Sequence, residues 1–321
     1  MKNSLKNLST ETLKIKLQSL QGTAKIDCLI ELANRSMLYS KHQNGLEYAR
    51  DAHNLAVKAN ASKQIADSLI QIGAYYLHKM SGQEVEKYYF EALDLYRQSN
   101  DSFGQASCQY KLGVYYWIFG KNEKSIEHFR SALHFFHELN ESREKSLCLN
   151  YIGRNLTELG EFEVALNYFF EALEIVRSSK NNRQTIKALI EIGDAFSEIK
   201  RFDECLWYYE EALSLIEKNP NKYLENDVLQ RIGKTYFADR KYTEATVWFE
   251  RNLLVAREIK DRLAEEQIKN YLFRIEKKNN QLTQKNRADS EEDRGVGTAQ
   301  NLFFVNPLNL SLNNSRLAEA A

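Results

Sequence analysis

The sequence predicts an all-α chain: a solenoid of about six stacked helical hairpins, with one extra helix at each end. Three observations lead there. Proline is nearly absent and glycine sparse, with only Pro220, Pro307 and 13 glycines in 321 residues; that favours long helices over turn-rich sheets. An aliphatic residue followed by glycine recurs every 40 residues, at Gly73, Gly113, Gly153, Gly193 and Gly233. Around each glycine the apolar residues follow an i, i+3, i+4, i+7 spacing, which is helical.

The fixed period carries most weight, because a repeat of this length marks stacked supersecondary units. The residues before the glycines are Ile72, Leu112, Ile152, Ile192 and Ile232. Nineteen residues after the glycines stand Ala92-Leu93, Ala132-Leu133, Ala172-Leu173 and Ala212-Leu213. Backwards the frame lands on Leu32-Ala33 and Ala52; forwards it reaches Asn252-Leu253, where the pattern decays. An aromatic column lies three residues before each small residue, at Tyr89, Phe129, Phe169, Tyr209 and Phe249. A second column runs through Tyr76, Tyr116, Leu156, Phe196 and Tyr236. Small residues let helix backbones approach, and the aromatics are expected to fill the wedge between neighbouring hairpins. No hairpin buries its apolar face alone, so stability comes from stacking.

The elements follow in order. Residues 1–24 hold a capping helix near 10–21. Six hairpins then occupy about 25–64, 65–104, 105–144, 145–184, 185–224 and 225–261, each with two helices of about fifteen residues. Short turns such as Phe119-Gly120-Lys121 and Leu159-Gly160-Glu161 join the helices of a pair. Polar helix-capping segments such as Asn100-Asp101-Ser102 and Asn219-Pro220-Asn221 separate the pairs. Over 262–285, Ile268, Leu272, Ile275 and Leu282 form an apolar stripe with Asn279 at the intervening seam position. This reads as a cap on the sixth hairpin or as a short dimeric coiled coil. Residues 286–321 are polar and expected to be disordered. Within them Leu302-Phe303-Phe304-Val305 is an apolar island, either incidental or a self-peptide for the groove described below.

Composition narrows the function classes. Lys plus Arg and Asp plus Glu are 44 each, giving no net charge; a duplex-binding face would need a basic excess, so nucleic acid is not expected as a partner. The segment Met1–Leu8 lacks an apolar core, and no apolar run reaches the length of a membrane span. The expected compartment is the cytoplasm, with no membrane partner.

No P-loop, nucleophile elbow, HExxH or kinase signature is present, and Gly295-Val296-Gly297 is a lone Gly-x-Gly. The chain is therefore not expected to be an enzyme or to need a cofactor. Cys28, Cys108 and Cys148 share a repeat column with Ser68 and Ala188, and Cys205 shares another with Ala165 and Ala245. Both columns take small residues, so packing explains them, and no zinc spacing occurs. His134 and His137 lie three apart and could in principle share a metal, but no further ligand is evident; solvated or packing roles are expected, alongside His128.

The filled columns resemble the tetratricopeptide repeat family. In one unit Leu149, Ile152-Gly153, Leu156, Ala165, Phe169 and Ala172 occupy the family's places. The closing Pro of that family is absent, replaced by Arg97, His137, Arg177 and Glu217, and the period is 40 residues rather than about 34. This resembles the long-helix subclass of Pins-type adaptors, kinesin light chains and the repeat regions of bacterial signalling regulators. The resemblance implies a right-handed solenoid whose concave face takes a protein or peptide partner.

It also implies which positions face the groove: in the second hairpin Ile70, Ala74, Leu77 and His78, and in the third Ser107, Tyr110, Val114, Trp117 and Ile118. The fourth adds Asn150, Arg154, Thr157 and Glu158, the fifth Lys187, Asp194 and Ser197, and the sixth Asp227, Gln230 and Lys234. The groove is expected to be apolar at its N-terminal end and of mixed charge beyond, with Tyr110, Trp117 and Ile118 as anchors. Superhelical closure or the chain's own tail covering that cluster is the competing reading. The carboxylate clamp of chaperone-binding relatives is not reproduced, since Ile30 stands where it has Lys, although Asn34 matches. The expected role is a scaffold or adaptor, or alternatively a sensor module working through a separate output protein. The chain would be a monomer, or a weak dimer through 262–285.

Overall fold

The structure, a computed structural model, describes residues 5–179 and 181–295, the side chains of 282 and 284–295 excepted. Among the described residues there are fourteen α-helices and no strand. Helix α1 spans Thr10–Ser19, its first turn capped by Ser9 Oγ, which accepts from the Thr12 N–H at 3.1 Å. Six hairpins follow: α2 Gly22–Leu38 with α3 His42–Lys58, α4 Ser62–His78 with α5 Gly82–Gln98, and α6 Ser102–Ile118 with α7 Asn122–Glu138. The others are α8 Ser142–Glu158 with α9 Phe162–Ser178, α10 Asn182–Glu198 with α11 Phe202–Lys218, and α12 Lys222–Ala238 with α13 Tyr242–Glu258. Each of these twelve helices has 17 residues.

The helices are longer than expected, and each hairpin begins earlier than the apolar frame indicates, at Gly22 rather than 25 and at Ser62 rather than 65. Opening turns such as Ser62-Lys63 are exposed, so they carry no apolar periodicity to read. Residues through Arg262 form one compact unit, and a second begins at Leu263. It contains α14, which runs Arg262–Gly295 without a break, past the expected end at 285. The expectations for 296–321, the Leu302–Val305 segment among them, lie outside the described residues. No helix among the described residues is long and apolar enough to cross a membrane.

The turns keep a twenty-residue rhythm. Ser40, Asn60, Met80, Asn100, Gly120, Asn140, Gly160, Lys200, Arg240 and Lys260 all have φ between 48 and 82°. Each closes a helix by reversing the chain in left-handed backbone. At Gly160, for example, the Glu161 N–H donates to Leu156 O at 2.8 Å and the Gly160 N–H to Thr157 O at 3.0 Å. One turn departs from the pattern. Pro220 occupies the rhythmic position, cannot take positive φ and has no N–H to give. Helix α11 ends there with an extended Asn219, and Asn221 Oδ1 caps α12 instead, accepting from the Tyr223 and Leu224 N–H groups at 3.1 Å.

Each helix from α1 to α13 packs on its sequence neighbours within this unit, and the first helices α2, α4, α6, α8 and α10 also touch one another in series. The layer whose members approach one another directly is the inner one, so these helices and α12 carry the concave face.

Within five hairpins the aromatic column packs on its own glycine, and Phe129 also stacks on Tyr151 of the next hairpin at 4.9 Å. A Cβ on Gly153 would stand 2.5 Å from the Phe169 ring, and one on Gly193 2.4 Å from the Tyr209 ring. Phe129, Phe169, Tyr209, Phe249 and Tyr89 are all essentially buried. In the first hairpin the pair is replaced at both ends, by buried Ala33 and Ala49. The apparent decay at Asn252 is a polar substitution of the same paired kind. Buried Asn252 donates to the side chain of buried Asn226 at 2.7 Å and to its backbone carbonyl at 2.9 Å.

Two of the glycine-packed rings are fully buried tyrosines with different fates. The Tyr209 hydroxyl donates to Asp194 Oδ1 at 2.5 Å, whereas the Tyr89 hydroxyl has no partner. The residue after the glycine decides, being Asp194 in one hairpin and Ala74 in the other. Tyr209→Phe should therefore cost about 1–2 kcal/mol, while Tyr89→Phe should be neutral or stabilising by up to about 1 kcal/mol. Urea midpoints of the two variants check this. Gly153→Ala drives a methyl into the Phe169 ring and should destabilise by about 1–3 kcal/mol in the same measurement.

Candidate protein-binding groove

The concave face is built by the side chains that the first helices cannot place in the core. Trp117 stands at the end of α6, and its indole N–H donates to Glu158 Oε1 on α8 at 2.8 Å. The Arg154 guanidinium lies 4.5 Å from the Trp117 ring centroid and 5.7 Å from that of Tyr151. Such cation–π contacts are worth about 0.5–2 kcal/mol, more as water is excluded. Tyr151 meets Trp117 edge-on at 5.4 Å and Tyr110 edge-on at 5.8 Å, and it stacks on Phe129 at 4.9 Å.

Tyr110 is thus packed beneath Tyr151 and against Phe129 rather than displayed as a free anchor. Burial pushes its phenol pKa well up. Val114 and Leu77 are likewise half-buried against the core, while Ile118 remains 41% exposed. The structure brings Tyr110, Trp117 and Arg154 into one cluster.

Beyond that cluster the groove is charged. Arg154 Nε is 3.7 Å from Glu191 Oε1 on α10. Arg231 on α12 reaches back to Asp194 Oδ1 at 2.8 Å and lies 3.4 Å from Asp227 Oδ1 on its own helix. Asp194 is therefore held by both Tyr209 and Arg231. Burial raises the carboxyl pKa values of Glu191 and Asp194, opposed chiefly by Arg154 and Arg231 respectively. Burial also lowers the ammonium pKa of Lys234, whose neighbour in the groove frame is Gln230 on the same helix.

Two cavities open on this face. The larger, about 290 Å³, is lined by Asn150, Tyr151, Arg154, Lys187, Glu191, Asp227 and Arg231 among others. The smaller, about 180 Å³, is lined by Phe103, Tyr110, Lys111, Phe136, Arg143 and Glu144. Leu147 forms a wall of both. Each has room for one or two side chains, below the size usual for an enclosed small-molecule site.

Among the lining residues that the sequence reading missed, Lys111, Tyr151, Glu191 and Arg231 form one column at the 40-residue period. The signal was present, since a core column would carry apolar residues there. The family positions projected onto the chain step past this column.

The remaining candidates for chemistry are structural. All four cysteines are buried, and burial pushes the Cys108 thiol up to about 12. His134 and His137 are exposed, and His134 Nε2 lies 3.5 Å from Glu138. His128 shares a 2.6 Å hydrogen bond with Gln109 and stacks on Tyr116. Among the described residues no group of three or more His, Cys, Asp or Glu could hold a metal.

Residues 145–218, covering nearly all of α8 to α11, match the tetratricopeptide repeat family model. No curated protein matches the chain in sequence. Solved structures with the same architecture include RapI in its apo form, 21% identical, aligned over 63% of this chain and 73% of that one with a TM-score of 0.58. The signal-transduction ATPase PH0952 of Pyrococcus horikoshii, with its tetratricopeptide repeat sensor, is 13% identical and superposes on 83% of this chain with a TM-score of 0.73. This chain spans 40% of that protein. A Rap protein complexed with Competence and Sporulation Factor is 15% identical, aligned over 84% of this chain and 79% of its own with a TM-score of 0.57. At these identities the likeness is one of fold. Residues 145–218 thus match the tetratricopeptide repeat, and the hairpins on either side keep the same 40-residue frame.

Proposed function

We propose that the chain is a protein-interaction scaffold that captures a peptide or helix of a partner along the concave face of α6, α8, α10 and α12. The observation that carries this reading is the Trp117–Arg154–Tyr151 cluster at the rim of a cavity lined by further charged side chains. A tryptophan face covered by a guanidinium, beside an unfilled recess, is the composition of binding hot spots. The aromatic residues anchor the partner, and Asn150, Arg154 and Lys187 orient it. Asp194, Gln230 and Lys234 extend the surface onto the last two hairpins. Binding rather than catalysis accounts for the groove, because its acids sit in ion pairs with arginines instead of facing a nucleophile. The Rap protein bound to Competence and Sporulation Factor shows the same architecture holding a ligand.

A regulatory variant of this reading, a sensor module acting through a separate output protein, is supported by the unbroken helix α14. Its 262–285 stripe would serve as a weak dimer seam there and as a cap in a monomeric adaptor. Sedimentation across a concentration range separates the two.

The groove reading is checked by capture from native extract with wild type and the Trp117→Ala/Arg154→Glu variant, both verified as helical by circular dichroism. The partner retained by wild type should bind the variant at least about tenfold more weakly. Equal retention would move the site off the concave face.

A further inference from the structure

The two cavities are equivalent recesses, one hairpin joint apart. Tyr110, Lys111, Phe136 and Glu144 wall the smaller; 40 positions on, Asn150, Tyr151, Val176 and Gln184 wall the larger. Rings fill the earlier recess, and Tyr96 holds the Phe136 column in the hairpin before that. With Val176 and Asn150 in place of Phe136 and Tyr110, the later recess is about 290 Å³ against about 180 Å³. Val176 and Ala172 are buried residues of the outer helix α9, so this recess passes between α8 and α10 to an apolar floor that Ala188 and Leu224 complete. Its rim is charged but balanced: Arg154, Lys187 and Arg231 are matched by Glu191, Asp227 and, 2.8 Å from Arg231, Asp194. The pairs bordering the recess are loose. Arg154 Nε lies 3.7 Å from Glu191 and Arg231 Nε 3.4 Å from Asp227. Neither contact is a hydrogen bond, and buried Arg231 Nε has no such partner among the described residues. Burial raises the Glu191 carboxyl pKa although Arg154 stands beside it. Buried polar groups held this incompletely gain from a ligand that completes their hydrogen bonds.

We propose that the larger recess binds a free aromatic α-amino acid, its ring on the floor that Val176 and Asn150 leave open and its zwitterionic head at the rim. The ammonium meets Glu191 and Asp227; the carboxylate meets Arg154 and, at the mouth, exposed Lys187. This assignment goes beyond the capture of a partner segment and does not rest on it. A residue inside a peptide brings a ring but neither head-group charge, and it leaves both loose pairs as they are. A single amino acid is also small enough for a recess of this size. Its ring would touch α8, α9 and α10 and its head group α12, so occupancy ties the fourth, fifth and sixth hairpins to one another.

Calorimetric titration of the full chain with L-phenylalanine, L-tyrosine and L-tryptophan tests this. Ligands of this size should bind with a Kd on the order of 0.1–1 mM. Four comparisons should each bind at least about tenfold more weakly than L-phenylalanine. They are L-alanine, which lacks the ring; phenylalanine amide, which lacks the carboxylate; N-acetylphenylalanine, which lacks the ammonium; and D-phenylalanine. Val176→Phe and Asn150→Tyr restore the rings of the preceding hairpin and should each abolish binding. The repeat already accommodates both side chains in these columns, and circular dichroism verifies the fold of each variant. Should one of them not fold, the other and the four comparisons still decide.

Amide and N-acetyl forms that bind as tightly as L-phenylalanine, with the loss in Val176→Phe retained, would make the recess a side-chain pocket for a partner segment. That result would overturn the amino-acid assignment and leave the groove reading standing. Binding of none of the three aromatic amino acids would overturn the assignment, and so would binding indifferent to both ring-restoring variants. Capture of a partner by the concave face is read on the partner and not on the amino acid, so the two readings fail independently.

Discussion

An aromatic ring seated on a bare Cα holds each of five hairpins together. The ring occupies the volume that any side chain on the glycine would need, so it sets how closely the two helices of a pair approach. With that distance fixed, the apolar stripe of the first helix turns outward to the next hairpin and its remaining stripe turns to the concave face. The residue after the glycine, whether Arg154 or Asp194, falls at the edge of the groove because the glycine itself is pinned. Groove geometry is thus a by-product of a packing constraint repeated along the stack.

The inner face adds polar links between hairpins that already share a continuous apolar core. Arg154 to Glu191 joins the fourth hairpin to the fifth, and Arg231 to Asp194 joins the fifth to the sixth. Trp117 to Glu158 does the same one step earlier. In a solenoid, stability is the sum of unit terms and nearest-neighbour terms. These polar contacts are part of the neighbour terms, and they lie on the surface available to a ligand. Whatever contacts that surface also contacts the joints of the stack.

Much of this was legible in the residues. The 40-residue columns identified the hairpins, their number and the packing role of the cysteines, because a repeat presents each structural position several times. The column of Lys111, Tyr151, Glu191 and Arg231 is equally regular, but it lies one step beside the family's groove positions and its side chains share no chemistry. Paired substitutions were hidden for a different reason. Ala33 with Ala49, and Asn226 with Asn252, each look like decay when one column is read at a time. They are complementary only across the hairpin, where helix contact makes them partners. The packing of Tyr110 under Tyr151 was likewise invisible, since it depends on a neighbour one repeat away.

Among the described residues, the turn that breaks the twenty-residue rhythm lies between α11 and α12, where Pro220 has no N–H to close the helix end. The larger cavity draws its walls from both sides of that turn, with Tyr151 and Glu191 before it and Asp227 and Arg231 after it. The recess therefore spans the joint at which a side-chain cap from Asn221 replaces the backbone closure. On the proposed reading of the groove, occupancy and order of the last hairpin would be linked quantities: a ligand bridging the joint would add its own affinity to the closure. The solenoid in this sense has a terminal latch whose fastening is shared between chain and cargo.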